Sequence, residues 1–198
     1  MRTIMLDVDG VLVCGRPRDG APWWTDLGVD LGISRDALRS AFFAPRWQDI
    51  VSGRKPLVPE LAEVLAEIAP DVGVDAFIDY WFANDSRIDS AVLDAVSEIR
   101  RRGDRVYLAT NQEHMRAAYL MEDMGLREKV DGIFYSAALG YQKPSPEFYS
   151  LVTQATSVAP ESIVLIDDTE ENVRAARTAG WSAVHWQKGM SLAGALVF

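Results

Sequence analysis

A chain of 198 residues that is 48% apolar and 25% charged has the make-up of a globular protein with one substantial core, or a core plus a small accessory domain, and is not disordered. Its net charge of −9 sets the surface against nucleic acid and anionic membranes, so neither is an expected partner, and an anionic substrate would need a locally positive pocket. The single cysteine, Cys14, rules out an intramolecular disulfide and a cysteine-built metal site, and suits a reducing cytoplasm. No apolar stretch approaches the ~18–20 residues of a spanning helix. The opening run 1–7 ends in acidic residues, unlike the long apolar region of a signal peptide.

Residues 4–6 form a short apolar run that meets Asp7-Val8-Asp9-Gly10, which predicts a buried strand ending in a turn. From 14 to 85 no convincing strand follows, but helical spacing recurs over 34–43, 59–68 and 75–82, so this segment reads as a helical insertion. Residues 89–102 carry Val92, Leu93, Val96 and Ile99 along one helical side, and Gly103 stops them. Residues 105–109 predict a second strand followed at once by Thr110-Asn111, then a helix over 112–124. A short strand at 133–135, a proline-started helix over 146–155, a buried strand at 162–166, a helix over 170–178 and a last strand at 183–186 complete the pattern. Strand and helix alternate from about residue 89 onward, predicting an α/β fold with a parallel, Rossmann-like sheet covered by helices on both faces. Asn84-Asp85-Ser86 and Arg102-Gly103-Asp104 match glycosylation and adhesion tripeptides, but Gly103 is explained by its helix and the first matters only in a secreted protein.

The functional signal lies in where polar residues fall relative to the strands. Ligands of open parallel sheets bind beyond the carboxyl ends of the strands. Asp7 and Asp9 follow the first strand, Thr110 and Asn111 the second, and Asp167-Asp168 the strand at 162–166, while Lys143 sits in the loop after 133–135. Each has a bland reading alone: a turn, a helix cap, a solvated lysine. Together they would have to reach one sheet edge by accident. Carboxylates ~4 Å apart cost about 4 kcal/mol per like pair at an effective dielectric near 20. Such a cluster either protonates or binds a cation, and an all-oxygen donor set suits Mg²⁺ rather than zinc.

At these residues the sequence resembles the haloacid dehalogenase superfamily over nearly its whole length. Asp7-Val8-Asp9-Gly10-Val11 matches that family's first motif, Thr110 its second, Lys143-Pro144 its third and Asp167-Asp168 its fourth. The run from Ile166 through Asn172 and Ala175 looks most like the branch of sugar-phosphate phosphatases and the phosphatase domain of soluble epoxide hydrolases, though many relatives carry Asp where this chain has Asn172. The resemblance implies a core of 1–13 and 86–198 with a small helical cap at 14–85. It also implies a magnesium-dependent phosphomonoester hydrolase acting through an aspartyl-phosphate on a small phosphorylated metabolite. Asp7 would be the nucleophile and Asp9 the general acid and base. Asp7, Asp9 (through its carbonyl), Asp168 and Asp167 would surround the metal. Thr110, Asn111 and Lys143 would hold phosphate, with main-chain N–H groups near Val8, Gly10 and Asn111 completing the cradle. Trp23, Trp24 and Trp47 could face a sugar ring and Arg16, Arg18, Arg46 and Arg54 an anionic group, although at least two of the tryptophans have an adequate explanation as insertion core. His114 and His185 read as structural and Cys14 as a buried or half-buried thiol. A phosphomutase, a 2-haloacid dehalogenase and a non-catalytic binding member are the alternatives of the same fold, although dehalogenases generally lack a carboxylate at the position of Asp9 and need no metal.

Overall fold

The computed structural model describes residues 2–196. Five strands, β1 (Thr3–Leu6), β2 (Arg105–Thr110), β3 (Gly132–Tyr135), β4 (Ile163–Asp167) and β5 (Ser182–His185), form one sheet in the order β3-β2-β1-β4-β5. Every neighbouring pair is parallel, with Leu6 opposite both Leu108 and Ile166. The strands are apolar because both faces are covered. Ile4, Leu6, Val106, Leu108, Val164 and Ile166 join one cluster, while Met5, Ala109, Ile163 and Leu165 join the cluster on the opposite face. The period-two side-chain alternation of a strand divides them in this way.

The helices, in chain order, are α1 (Leu27–Asp30), α2 (Arg35–Leu38), α3 (Ala44–Val51), α4 (Leu57–Ile68), α5 (Val74–Asn84), α6 (Ser90–Arg101), α7 (His114–Met121), α8 (Ser136–Leu139), α9 (Pro146–Thr156), α10 (Glu170–Thr178) and α11 (Leu192–Ala195). Val92, Val96 and Ile99 of α6, Leu120 of α7 and Leu192 of α11 cover the first face. Phe148 and Val152 of α9 with Val173 and Ala176 of α10 cover the second. Among the described residues no helix is long and apolar enough to cross a membrane.

Helices α1 to α5 lie between β1 and α6 and build a separate aromatic cluster around Phe42, Phe77, Trp81 and Leu61. The chain entering this segment pairs with the chain leaving it: Cys14 N–H donates to the Arg87 carbonyl at 2.9 Å and Arg87 N–H to that of Gly15 at 3.1 Å. Three further contacts dock the segment on the sheet domain. Ser136 Oγ, fully buried, donates to the Val51 carbonyl at 2.5 Å. Gly53 lies against α8 with φ +72°, and a Cβ there would stand 2.3 Å from the Ala137 carbonyl oxygen. Arg116 of α7, 2% exposed, donates to the main-chain carbonyls of Phe82 and Asp85 at the end of α5, with the Asp85 carboxylate 3.8 Å away.

Helices α1, α3, α8 and α11 have no counterpart in the sequence pattern, and α7 starts later than it suggests. A π-helical stretch, Arg39–Phe43, runs straight into α3, whose second residue is Pro45. Proline has no N–H to give, yet the backbone stays helical from the π-turn, where the Ala44 N–H reaches the Arg39 carbonyl, through Pro45 into α3. Helix α7 begins two residues later than the pattern suggests because the Glu113 side chain caps it, accepting from the N–H groups of Met115 and Arg116. Glutamate is not among the common capping residues.

Replacing Arg116 by methionine keeps the bulk but strips two carbonyls of their donor and a nearby carboxylate of its cation. Loss of one partner of a buried ion pair typically costs about 3–5 kcal/mol. Urea unfolding of Arg116→Met should show a midpoint lowered accordingly; an unchanged midpoint would mean that this contact does not hold α5 to α7.

Candidate active site

The sheet order puts β1 beside β4 where the chain reverses its winding direction, and that switch point is where parallel sheets open a crevice. Asp7 leaves β1 with its N–H still bonded to the Ile166 carbonyl at 2.9 Å, so its side chain is fixed by the sheet ladder. Its Oδ1 accepts from Val8 N–H at 2.8 Å and lies 3.0 Å from Lys143 Nζ. The same ammonium donates to Asp167 Oδ2 at 2.5 Å. Asp7, Lys143 and Asp167 are 7%, 3% and 0% exposed, so this is a buried chain of two carboxylates around one cation.

Each member is held in turn. Asn111 clamps the loop that carries the lysine: its Nδ2 donates to the Lys143 carbonyl at 2.9 Å and its Oδ1 accepts the Lys143 N–H at 2.8 Å. Asp167 accepts from Thr169 N–H at 2.9 Å and from Asn172 Nδ2 at 3.0 and 3.1 Å. Asn172 is buried, and its carbonyl accepts from Tyr149 Oη at 2.9 Å. Asp168 is exposed and lies over Gly10, where a Cβ would be 2.1 Å from its Oδ2. Gly10 also has φ +81°, so both space and backbone demand glycine there.

Asp9 points its Oδ2 at Gln112 Nε2, 2.7 Å away. Its side chain touches solvent, yet protein surrounds it densely, and that desolvation raises its carboxyl above the usual range. Burial raises Asp7 to about 7, with Asp167 and Asp9 adding and Lys143 opposing. Asp168 is raised as well, by burial and then by Asp167. Burial would pull the Lys143 ammonium down, but Asp7 and Asp167 outweigh it and hold its pKa above the ordinary lysine value. One lysine thus faces more negative charge than it neutralises. Carboxylate oxygens of Asp7, Asp167 and Asp168 lie within 4.8 Å of one another. An all-oxygen cluster of this spacing fits a hard divalent cation.

A hollow of about 340 Å³ opens above these groups, lined by Asp7, Asp9, Gly10, Thr110, Asn111, Lys143, Asp168, Thr169 and Asn172. Asp167 lies beneath it and does not line it. The Thr110 hydroxyl is buried and has no hydrogen-bond partner among the described residues. A buried hydroxyl left so costs about 1–3 kcal/mol unless a ligand accepts from it.

The model of the haloacid dehalogenase-like hydrolases matches residues 1–180. The chain belongs to this family. It is 32% identical over 99 residues to a sesquiterpene phosphatase of Aspergillus oryzae, covering 50% of each protein. It is 25% identical over 197 residues to phosphoglycolate phosphatase 1 of Pseudomonas aeruginosa, covering 90% of this chain and 66% of that one. The chain thus spans only part of the length of these curated relatives. A haloacid dehalogenase family enzyme from Bacteroides thetaiotaomicron, crystallised with magnesium and inorganic phosphate, superposes with a TM-score of 0.81 at 16% identity, covering 99% of both chains.

The polar motif residues of this family member therefore meet at one hollow, apart from Asp167 below it. Other expectations need correcting. The N–H groups of Val8 and Gly10 are engaged, by Asp7 Oδ1 and by the Val13 carbonyl at 2.9 Å. The Asn111 side chain is taken up by the Lys143 loop, which leaves that residue only its main chain to offer. Arg16 is paired with Asp19 at 2.5 Å and Asp26 at 2.6 Å, and Arg46 with Glu60 at 2.9 Å and Glu63 at 2.7 Å. Arg18 meets Asp26, and Arg54 meets Asp49 at 2.8 Å. The insertion's own acids neutralise these arginines, and none of them lines the hollow. His114 contacts Tyr135 Oη at 3.3 Å and His185 the Asp168 carbonyl at 2.9 Å, and neither lines it. Gln112 was not singled out by sequence reasoning, although it directly follows the strand-end pair Thr110-Asn111.

Replacing Lys143 by methionine leaves Asp7 and Asp167 buried against each other with no cation in contact. A loss of about 3–5 kcal/mol is expected from removing one member of a buried charge cluster, measured by denaturant unfolding in metal-free buffer at pH 8. A variant as stable as the parent would show that the lysine is not what keeps these carboxylates together.

Proposed function

We propose that this chain is a magnesium-dependent phosphomonoester hydrolase that works through an aspartyl-phosphate on Asp7. The observation that carries the reading is the shared hollow: a buried carboxylate, a buried ammonium and a partnerless buried hydroxyl at one end, and Asp9 on its Gln112 tether beside them. Asp7 Oδ1 is taken by Val8 N–H and Lys143, and Oδ2 accepts no hydrogen bond among the described residues. Oδ2 would attack phosphorus while the bond from phosphorus to the leaving oxygen breaks. Asp9, protonated at this stage, would give that oxygen its proton, a task for which its raised pKa suits it. The Asp9 carboxylate so formed would then take a proton from water as that water attacks the phosphoryl group, which releases phosphate and restores Asp7. Gln112 would keep Asp9 in place through both transfers.

Thr110 and Lys143 would hold the phosphoryl oxygens, joined by the Asn111 N–H. The carboxylates of Asp7 and Asp168 with the Asp9 carbonyl would hold magnesium, and Asp167, saturated by Lys143, Thr169 and Asn172, would stand just outside. Bound there, the ion supplies positive charge that offsets the repulsion between a phosphate dianion and the carboxylates. Residues 14–85 would serve as a cap over the core of 1–13 and 86–198, and a small phosphorylated metabolite, such as a sugar phosphate, would be the substrate. A dehalogenase of the same fold would leave the Asp9–Gln112 pair without a task.

The test is release of phosphate from p-nitrophenyl phosphate by the parent, Asp7→Asn and Asp9→Asn, each with Mg²⁺ and with chelator. The parent should be active only with Mg²⁺. Asp7→Asn should be inactive, whereas Asp9→Asn should retain activity reduced about 10²–10⁴-fold, the usual worth of general acid–base help. Full activity in chelator, or a fully active Asp7→Asn, would refute the proposal.

A further inference from the structure

Asp9 and Gly10 line a second and much larger space. This cavity of about 1040 Å³ opens from the phosphate-sized hollow toward the insertion. If Asp9 protonates the leaving oxygen, the rest of the leaving group must extend into the space that Asp9 shares with the hollow. That space is therefore the leaving-group pocket, and its lining describes the alcohol it takes.

Five aromatic side chains from the insertion stand in its wall: Trp23, Trp24, Phe43, Trp47 and Trp81. Trp23 and Trp81 are buried and stacked at 5.3 Å with 27° between planes, a firm floor that belongs to the insertion's own core. Trp24, Phe43 and Trp47 are only half-buried, so packing of that core does not use them up. The π-helical stretch ends on Phe43 and α3 carries Trp47, and their rings meet at 5.5 Å. π-helical turns occur often at functional sites. Here one ends on Phe43, which lines the cavity together with Trp47 of α3.

Charge points the same way. The lining holds three carboxylates, Asp9, Asp85 and Asp89, against two cations, Arg87 and Lys188. Asp85 is itself raised to about 6 by burial and by Asp9. Arg16 and Arg46, which could have received a second anionic group, are neutralised by paired acids and do not reach the lining. With Asp9 protonated for its role as acid, the other lining charges balance, so the cavity offers no net attraction to offset the water that a carboxylate or second phosphate would lose there. The volume also exceeds what a two- or three-carbon alcohol can fill, and lies at the upper end of the ~300–1,000 Å³ typical of sites for drug-sized molecules.

We infer that this protein acts on phosphomonoesters of a bulky, uncharged alcohol with a large apolar or aromatic body, selected by the half-buried faces of Trp24, Phe43 and Trp47. The inference rests on the hydrolase reading above, because it uses Asp9 to locate the leaving group. Burial of a bicyclic aromatic body against these rings should raise kcat/KM by roughly 10–100-fold over a small polar ester.

The experiment has a catalytic and a binding arm. In the first, kcat/KM with Mg²⁺ is compared for 1-naphthyl phosphate, glycerol 3-phosphate and phosphoglycolate. The naphthyl ester should lead by at least about tenfold, and the lead should collapse in Trp47→Ala and Trp24→Ala but persist in Trp47→Phe. In the second, 4-phenylbutylphosphonate and methylphosphonate, whose C–P bonds resist hydrolysis, are titrated by tryptophan fluorescence and calorimetry. The phenylbutyl compound should bind at least about tenfold tighter, and Trp47→Ala should remove the difference. Thermal midpoints of the variants separate misfolding from lost contact. Equal or better turnover of phosphoglycolate, or a preference unmoved in a folded Trp47→Ala, overturns the inference while the hydrolase reading stands. If no ester is hydrolysed, the hydrolase reading fails, and equal binding of the two phosphonates then overturns the inference as well.

Discussion

The buried Lys143 ammonium between Asp7 and Asp167 is the constraint on which the rest of the site depends. Two carboxylates in a low-dielectric interior are tolerable only with a cation at contact distance, and Lys143 sits 3.0 Å from one and 2.5 Å from the other. The pairing is possible because β1 and β4 are neighbours and the loop after β3 folds back over the β2 end. Asn111 fixes that loop, Asn172 and Thr169 fix Asp167, and the sheet ladder fixes Asp7. The lysine satisfies only part of the negative charge. The remainder, carried by Asp7, Asp9 and Asp168 around the hollow, suits the site to a divalent cation and, in the proposed function, through that cation to a phosphate. A protein with a net charge of −9 can attract phosphate only through such a local inversion.

The insertion depends on the same frame. Its two connecting strands hydrogen-bond to each other beside Val13, and Ser136, Ala137 and Arg116 receive it from the sheet domain. Arg116 ties the end of α5 to α7, the helix that starts just after Gln112 and Glu113. The Asp9 tether and the docking of the aromatic segment thus issue from one short stretch, 110–116. Packing joins the same places, since Tyr119 of α7 meets Phe82 of α5 with ring centroids 5.3 Å apart.

Much of this was legible in the sequence, for definite reasons. Buried parallel strands are short apolar runs, so β1, β2 and β4 and the polar residues closing them could be read directly, and Asp7, Asp9, Thr110, Lys143 and Asp168 do meet. The limits were set by side-chain direction, which no local pattern encodes. The Asn111 side chain faces the Lys143 loop, and Asp167, expected in or near the metal shell, lies under the hollow. The arginines of the insertion looked available because their partners, Asp19, Asp26, Glu60 and Glu63, are acids whose pairing emerges only on folding. Helix α3 was hidden by Pro45, and Gln112 by the absence of any charge to mark it.

In the proposed function, covalent phosphorylation of the Asp7 carboxylate, poised by Lys143, is the decisive step. It is tested most directly by mixing Asp9→Asn with Mg²⁺ and an aryl phosphate whose leaving group needs little protonation, quenching in acid and measuring mass. Slowed discharge should let one phosphoryl group accumulate per chain, located by peptide mapping to Asp7 and absent from the Asp7→Asn, Asp9→Asn double variant. An adduct on another residue, or none while phosphate is still released, would contradict the account.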